Sequence, residues 1–324
     1  MLILKDFIKK FKSKILNSTT EKLLSLLIYV DFSIVICYTY SKLEIKIRVD
    51  FMRSYSPLRY PGGKGQVYKF IEDLLCKNNM IGCTYIEPYA GGAGVAIRLL
   101  FEDKVKKIAI NDFDRSIYAV WYSILNYTEE FILLIKNTDI TMANWYLQKE
   151  IQKNKEIVNL LELGFSTFFL NRTNRSGIIK AGVIGGKNQD GNYRLDCRFN
   201  KIKLSKLIEK ISTYRNRIEL HNLDAIDFLN IVKRKHNQFY FIDPPYYKQG
   251  QALYTNFYQH NDHAKLAKYL KQKLKTKKFL ISYDNCEEIE KLYSDYRQEI
   301  KVLNYYVETK RKGEEIFITQ NITM

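Results

Sequence analysis

At 324 residues, the chain is long enough to bury a sizeable core and to form one large domain or two smaller ones. Its hydrophobic content of 46% and its charged content of 27% are ordinary for a soluble globular protein. The 52 Lys and Arg residues outnumber the 35 Asp and Glu residues and give a net charge of +17. Such an excess favours a polyanionic partner, most often nucleic acid, and the alternative is a proteome in which surface lysine is common.

The cysteine pattern argues against a disulfide framework and against a zinc site. The five cysteines are scattered, odd in number and without a C-x-x-C pair, as is typical of reduced thiols in a cytoplasmic protein. They are Cys37, Cys76, Cys83, Cys197 and Cys286. His260 and His263 have a spacing that metal sites use, but no third ligand lies near them in the chain, so we expect no metal.

Residues 1–51 raise the question of a membrane segment. The run "LLSLLIYVDFSIVICY" is shorter than the roughly 20 apolar residues of a spanning helix and contains Asp31, so we expect no stable membrane association. An amphipathic helix at a membrane surface is the alternative. Met52 begins "MRSYSPLRYPGGKGQ", which has the character of a natural start. We therefore expect residues 1–51 to be an appended or mis-started extension that is dispensable for activity.

From Tyr55 onward, short apolar runs alternate with longer amphipathic ones. "CTYIEPYAGG", "GVAIRLLFEDK" and "KKIAINDFD" predict a strand, a loop with a helix, and a second strand, which together form a βαβ unit of a parallel sheet. The middle, from Thr128 to Ser212, is helical at first and then polar and glycine-rich. The strands "QFYFID" and "KFLISYD" follow, with a helix between them. This order predicts a doubly wound α/β domain that an inserted segment interrupts.

A glycine loop lies between the first strand and its helix. Gly91, Gly92 and Gly94 allow the backbone to approach a ligand closely, although a tight strand–helix turn also favours glycine. Asp112 ends the next strand, where an acid typically accepts hydrogen bonds from ribose hydroxyls. The pair indicates a cofactor that contains a nucleoside, and the spacing differs from that of a dinucleotide fingerprint.

Two further segments carry candidate chemistry. "LRYPGGKG" places Lys64 among glycines, where it is either a cation for the carboxylate of a ligand or a solvated lysine in a turn. "QFYFIDPPYYKQG" ends a strand in Asp243, Pro244, Pro245 and Tyr246. These residues either stop the strand or hold Asp243 and Tyr246 around something flat and polar.

In chain order, "LRYPGGK", "EPYAGGAG", "INDFD", "FFLNR" and "IDPPYY" resemble the Dam-type, or class alpha, family of site-specific DNA adenine N6-methyltransferases. The match runs from about Ser56 to Asn321. It implies an α/β fold, with a Rossmann-like S-adenosylmethionine-dependent methyltransferase domain and an inserted, mainly helical target-recognition segment. The catalytic domain would comprise residues 52–128 and 213–324, and the insert residues 129–212.

The resemblance implies S-adenosylmethionine as the cofactor and a role for each matching residue. Tyr60 and Lys64 would border the methionine end of the cofactor, Asp112 would bind its ribose, and Asp224 would lie near its adenine. The residues that would wrap it are Glu87, Gly91, Gly92 and Gly94, with Asp243 also beside it. The Asp243 carboxylate and the Pro244 carbonyl would accept hydrogen bonds from the amino group of a flipped-out adenine, and Tyr246 would stack on that base.

The insert is the expected DNA-binding surface, because basic residues crowd a glycine-containing stretch with few acids. They are Arg172, Arg175, Lys180, Lys187, Arg194, Arg198, Lys201 and Lys203. Asn171 and Arg172 match the family pattern, and we expect them to contact DNA together with Arg175 and Arg194. A solvated loop is the alternative.

The resemblance implies double-stranded DNA as the substrate, methylated by a solitary enzyme or by the partner of a cognate restriction endonuclease. Adenine in RNA and cytosine N4 are the alternative substrates, although the cytosine class would have Ser in place of Asp243. A third alternative is a DNA-binding relative without catalytic activity. The presence of Lys64, Asp112, Asp243 and Tyr246 argues against it.

Overall fold

Seven strands form one sheet at the centre of the protein. The computed structural model describes residues 55–59, 67–234, 236–248, 258–306 and 310–324, with the backbone alone at 303–306 and 310–312. All of them belong to one compact unit, Ser54–Met324. The strands are β1 (Thr84–Glu87), β2 (Lys107–Asn111), β3 (Ile218–His221), β4 (Gln238–Ile242), β5 (Lys278–Asp284), β6 (Arg297–Tyr306) and β7 (Lys310–Gln320).

The strand order across the sheet is β3-β2-β1-β4-β5-β7-β6. The first five of these strands run parallel to one another, which confirms the parallel sheet predicted from the βαβ pattern. Strand β7 lies between β5 and β6 and is antiparallel to both. Because the order reverses between β1 and β4, the carboxyl ends of these strands border the crevice in which open α/β sheets bind ligands.

Ten α-helices accompany the sheet within the described residues. They are α1 (Val67–Lys77), α2 (Gly94–Phe101), α3 (Arg115–Asn126), α4 (Thr128–Asn137), α5 (Met142–Lys153), α6 (Leu160–Thr173), α7 (Lys201–Ser212), α8 (Ala225–Val232), α9 (His260–Lys273) and α10 (Glu287–Leu292). Several begin at a capping side chain, such as Asp114, whose carboxylate accepts a hydrogen bond from the Ser116 N–H at 3.0 Å. None of the helices in these ranges is long and apolar enough to span a bilayer.

Strand β4 is buried along its whole length, as its continuous apolar run predicts. Its side chains alternate between the two faces of the sheet. Tyr240 and Ile242 join the core formed with helices α8 and α9. Phe239 and Phe241 point to the other face, where both rings stack on Tyr85 of β1.

Helices α4 to α7 form a helical segment between α3 and β3, in the part of the chain from Thr128 to Ser212. Helix α6 packs closely on α3 because Gly164 has no side chain. A Cβ atom at Gly164 would lie 2.5 Å from the Ala119 carbonyl oxygen. The close contact ties the helical segment to the helix that follows β2.

Candidate active site

Four acidic residues follow or end neighbouring parallel strands at one edge of the sheet. Glu87 ends β1, Asp112 follows β2, Asp243 follows β4 and Asp284 ends β5. The register pairs Tyr85 with Ile108 and with Phe239, and alternate residues along each strand share a face. Glu87, Asp112 and Asp243 therefore lie on the same face, opposite helices α8 and α9.

The glycine loop is held against Asp112. The Gly91 N–H donates to Asp112 Oδ2 at 2.8 Å, and the Asp114 N–H donates to Oδ1 at 2.9 Å. Gly91 has a φ of 47°, and Ala93 has a φ of 43°, so the loop turns sharply through the left-handed region. Burial by the surrounding atoms, followed by the charge of Asp114, raises the pKa of Asp112 to about 7.

Asn111, immediately before Asp112, connects three strand ends. Its side-chain N–H group donates to the carbonyls of Pro88 and Leu223, each at 3.0 Å, and its Oδ1 accepts from the Leu223 N–H at 2.9 Å. The side chain is fully buried. One amide thus sets the relative positions of the loops after β1 and β3.

Glu87 is a buried carboxyl group with 5% of its surface exposed. Burial and the neighbouring Asp243 carboxylate raise its pKa to about 8. A carboxyl group that holds its proton near neutral pH, in a crevice with other acids, marks a site that favours a cationic or hydrogen-bonding ligand.

The turn after β2 exposes an aromatic ring. Asn222 donates to the carbonyls of Asp112 at 2.7 Å and Phe113 at 3.1 Å, and the Phe113 side chain is 62% exposed. The exposed Asp224 caps α8 by accepting from the Ile226 N–H at 2.8 Å through Oδ1. Its second carboxylate oxygen forms no hydrogen bond within the described residues, so it can accept one from a ligand.

These donor and acceptor groups fit S-adenosylmethionine better than a dinucleotide. The carboxyl groups of Asp112 and Asp224 suit ribose hydroxyls, and a positively charged sulfonium or ammonium group would favour ionisation of Glu87. Carboxylates would repel a pyrophosphate. The exposed Phe113 ring offers an apolar surface for a base.

The tetrapeptide after β4 is anchored through Tyr246. This tyrosine is 6% exposed, and its hydroxyl group donates to Glu315 Oε1 at 2.5 Å. Ser282 of β5 donates to Glu315 Oε2, also at 2.5 Å. Glu315 of β7 is fully buried, so two strands on one side of β4 determine where the Tyr246 ring lies. Pro244 is buried, and Asp243 is partly exposed.

Asp284 fixes the backbone of the residues that directly follow the tetrapeptide. Its two carboxylate oxygens accept from the N–H groups of Tyr247 and Lys248, each at 2.8 Å. Charge-assisted hydrogen bonds of this kind are stronger than neutral ones. The chain after Tyr246 therefore has a defined direction as far as Lys248.

An aromatic cluster lies beside this exit. The hydroxyl groups of Tyr89, in the glycine loop, and Tyr258 form a hydrogen bond of 2.8 Å. The buried His263 ring packs against both Tyr247 and Tyr258, and its Nδ1 forms a hydrogen bond of 2.8 Å with the Tyr283 hydroxyl. Burial lowers the pKa of His263 to about 4, so its ring is neutral near pH 7. The cluster links the glycine loop to the start of α9.

The predicted DNA-binding residues occupy two kinds of position. Asn171 is 1% exposed, and its amide accepts from the Arg59 N–H and donates to the Arg59 carbonyl, both at 2.7 Å. It thereby positions the chain that leads into the lysine-bearing segment. Arg175 and Arg194 are exposed on the loop after α6. Burial, followed by the charges of Arg59 and Arg198, lowers the pKa of the partly exposed Arg172 to about 10.

Two predicted cofactor residues, Tyr60 and Lys64, lie outside the described residues, as do residues 1–51. Throughout the described ranges, no group of three or more His, Cys, Asp or Glu side chains is arranged to hold a metal ion.

Three residues that shape the site were missed by sequence reasoning. The sequence pattern could have indicated Asp284, because "ISYD" ends a strand in an acid. "IND" and "FID" are similar, with the acid directly after the strand. Asn111 stands next to the predicted Asp112 but resembles an ordinary strand residue. Glu315 belongs to a polar strand, and nothing near it in the chain indicates that it meets Tyr246.

Comparison with known proteins identifies the family. The model of the D12 class N6 adenine-specific DNA methyltransferases matches residues 60–309. The Type II methyltransferase M.MjaIII of Methanocaldococcus jannaschii is 25% identical over 264 residues, which cover 74% of this chain and 88% of that protein. Both findings confirm the resemblance carried by the five motifs. The chain belongs to the D12 class of N6 adenine-specific DNA methyltransferases, enzymes that methylate adenine in DNA with S-adenosylmethionine.

Proposed function

We propose that the cofactor binds over the glycine loop at the carboxyl edge of β1 and β2. Asp112 accepts hydrogen bonds from the ribose, Asp224 and the exposed Phe113 ring border the adenine, and Glu87 faces the positively charged methionine end. The fixed contact between Gly91 and Asp112 supports this arrangement, because it holds the loop and the acid in one orientation. Tyr60 and Lys64 complete the proposal at the methionine carboxylate, on the strength of the family motif alone.

We propose that the target adenine binds at Asp243, after leaving the duplex. Its amino nitrogen is a poor nucleophile because the lone pair is delocalised into the ring. Asp243 and the Pro244 carbonyl accept hydrogen bonds from the amino group and so favour a tetrahedral nitrogen with a free lone pair. Bound S-adenosylmethionine supplies the methyl group on a positively charged sulfur. The residues contribute orientation and electrostatic stabilisation, and no covalent enzyme intermediate is required.

The main support for this proposal is the position of Asp243. It lies on the same sheet face as Glu87 and Asp112, close enough to raise the pKa of Glu87. A base at Asp243 would therefore be next to a cofactor bound at the glycine loop.

The test is Asp243→Asn, which keeps the shape of the side chain and removes its charge. DNA from cells expressing the variant should lack N6-methyladenine, measured by mass spectrometry of nucleosides, while purified variant still binds S-adenosylmethionine. Asp227→Asn, at an exposed position on α8, is the matched control and should methylate normally. Full methylation by Asp243→Asn would overturn the mechanism.

We further propose that residues 129–212 form the target-recognition domain and bind double-stranded DNA. The exposed Arg175 and Arg194 contact the DNA strand, whereas Asn171 acts by holding Arg59. Ala substitution of Arg175 and Arg194 should weaken DNA binding and leave the affinity for S-adenosylmethionine unchanged. An equal loss of both affinities would contradict this division of roles.

We infer that residues 1–51 are dispensable. The described chain joins the catalytic unit at Tyr55, whose hydroxyl group donates to Glu102 Oε1 at 3.1 Å, and the family match begins at residue 60. A chain that starts at Met52 should retain full methyltransferase activity. Loss of activity on truncation would refute the inference.

We also propose that the enzyme works in the cytoplasm as the modification partner of a cognate restriction endonuclease. The relative from Methanocaldococcus jannaschii is named a Type II methyltransferase, which supports this role. Sequencing of methylated bases in expressing cells should report adenine methylation within one short sequence. Methylation spread over unrelated sequences, or found only in RNA, would count against it.

A further inference from the structure

Three arginines meet where the helical segment contacts the chain that precedes the lysine-bearing motif. The Arg172 Nε group donates to the Arg198 carbonyl at 2.7 Å, and its Nη1 donates to the Pro57 carbonyl at 3.5 Å. Arg59 Nη1 donates to the Asn174 carbonyl at 2.9 Å. Arg59, Arg172 and Arg198, here called the arginine cluster, thus come from three separate parts of the chain, and Arg172 meets Arg198 at its backbone carbonyl.

The backbone under the arginine cluster is held firmly. Asn171 binds both backbone groups of Arg59 and also donates to the Gly177 carbonyl at 2.8 Å. Gly177 has a φ of 77°, and a Cβ atom there would lie 2.4 Å from the Arg59 carbonyl oxygen. Buried contacts therefore set the backbone position of Arg59 against the turn that follows α6.

No carboxylate balances the arginine cluster within the described ranges, where none of its members forms an ion pair with Asp or Glu. Burial, followed by the charge of Arg198, lowers the pKa of Arg59, and the pKa of Arg172 is lowered to about 10 for similar reasons. Like charges held together in a partly buried place repel one another. An anion would relieve this repulsion.

We propose that the arginine cluster is a built site for one phosphodiester group of the DNA strand that the helical segment binds. Arginine offers planar pairs of N–H donors that match phosphate oxygens, and each backbone carbonyl bond here occupies only part of that donor set. The proposal rests on the proposed DNA-binding role of the helical segment. It adds Arg59 to that surface and groups it with Arg172 and Arg198, apart from Arg175 and Arg194.

The cluster joins the two parts of the enzyme at a single phosphate. Arg59 precedes the lysine-bearing motif directly, while Arg172 and Arg198 belong to the helical segment. A phosphate held by all three would fix the register of the strand relative to the catalytic crevice. Such contacts orient the duplex and carry no sequence information, so base reading falls to other residues.

Cys197 provides a native probe, because the experiment requires no substitution in the chain. Its thiol is exposed and stands next to Arg198 in the chain. Cys76 is also exposed. It lies at the end of α1, close to Asn78, whose carbonyl accepts a hydrogen bond from Lys278 at the start of β5. We expect a mixed-sequence DNA duplex to slow alkylation of Cys197 by iodoacetamide at least about fivefold and to leave Cys76 unchanged, as measured by peptide mass spectrometry. Equal rates at Cys197 with and without DNA would overturn the proposal.

The second experiment measures the salt dependence of DNA binding for Arg198→Ala. This exposed side chain can be removed without disturbing the fold. Loss of one phosphate contact should reduce the slope of log affinity against log salt by about 1 and weaken binding about tenfold at low salt. Arg234→Ala removes the same charge beyond α8, at the amino end of β4, and is the matched control. Identical slopes of log affinity against log salt for Arg198→Ala and wild type would also refute the proposal that the arginine cluster binds a phosphate.

The outcome can be separated from a failure of the methyltransferase proposal. Binding and alkylation are measured without turnover, while N6-methyladenine is measured in the same wild-type preparation. If methyladenine forms but Arg198→Ala binds with an unchanged salt slope, only the phosphate site is wrong. If no methyladenine forms but the slope changes, the phosphate site stands and the proposed chemistry fails.

Discussion

The Tyr246 hydroxyl group donates a hydrogen bond of 2.5 Å to the buried carboxyl group of Glu315, which ties the end of the tetrapeptide Asp243 to Tyr246 to strand β7. Because Ser282 binds the other carboxylate oxygen, Glu315 acts as a bridge between β5, β7 and the tetrapeptide. The orientation of the Tyr246 ring therefore depends on a strand that contributes no family motif.

We predict that Tyr246→Phe keeps the ring but destabilises the protein. The buried Glu315 loses a hydrogen-bond partner, which should lower the free energy of unfolding by about 1–3 kcal/mol. Urea denaturation measures this loss. Tyr193→Phe, at a side chain that is 66% exposed, is the control and should change little. Equal stability of Tyr246→Phe and wild type would mean that the bond contributes nothing.

Substitution of Asp284 should impair turnover more than cofactor binding. Asp284→Ala leaves the N–H groups of Tyr247 and Lys248 without acceptors, so the exit from the tetrapeptide loses its fixed direction. We expect kcat to fall about 10- to 100-fold, a size that small misplacement of reacting groups can produce. Asp284→Asn keeps one acceptor oxygen and should recover part of the loss. Methyl incorporation and S-adenosylmethionine titration separate the two effects; a larger fall in cofactor affinity than in kcat would contradict the prediction.

Glu87 should make stability depend on pH. Its carboxyl holds a proton up to about pH 8 in the folded protein but only to about 4.5 in the unfolded chain. The folded state therefore binds more protons between these values, so this contribution to stability declines as the pH rises from 4.5 to 8. Glu87→Gln has no such proton and should gain stability relative to wild type across this range.

Urea unfolding at several pH values checks the Glu87 prediction. Part of the slope should remain in Glu87→Gln, because Asp112 also has a raised pKa, of about 7. A difference between wild type and variant that is independent of pH would show that Glu87 is ionised throughout.

Asn111→Leu should be strongly destabilising. It leaves the Pro88 and Leu223 carbonyls and the Leu223 N–H without their partner in a buried place. At about 1–3 kcal/mol for each unsatisfied group, the loss should exceed about 3 kcal/mol. Asn126→Leu, on the exposed face of α3, is the control and should stay within about 0.5 kcal/mol of wild type. Thermal or urea unfolding measures the free energy of unfolding of both variants. Similar losses of stability would refute the prediction that the buried hydrogen bonds of Asn111 stabilise the fold.

Local patterns predicted much of the fold and the position of the site. The segments that form β1, β2, β4 and β5 were recognisable from their apolar residues and from the Pro, Gly or Asp residues that follow them. The βαβ order indicated that these strands pair in parallel. The same patterns placed acids at the ends of the strands. They identified the glycine loop as well, because its glycines stand next to one another in the chain.

Contacts between residues distant in sequence were not predictable in this way. Glu315 meets Tyr246 across 69 positions, and Asn171 meets Arg59 across 112. Asn171 was predicted to contact DNA because it matches the family pattern together with Arg172, and a short motif does not reveal that a side chain is buried. Whether a polar residue faces a ligand or the backbone is decided by packing, which no local pattern records.

The Tyr246–Glu315 bond also has a consequence for protein synthesis. Every family motif, including the tetrapeptide, has left the ribosome before Glu315 is translated, since 69 positions separate the two residues. Until then, β5 is an open edge and Tyr246 has no anchor. A premature stop codon shortly before Glu315 would thus release a chain that carries all five motifs but leaves Tyr246 without its hydrogen-bond partner.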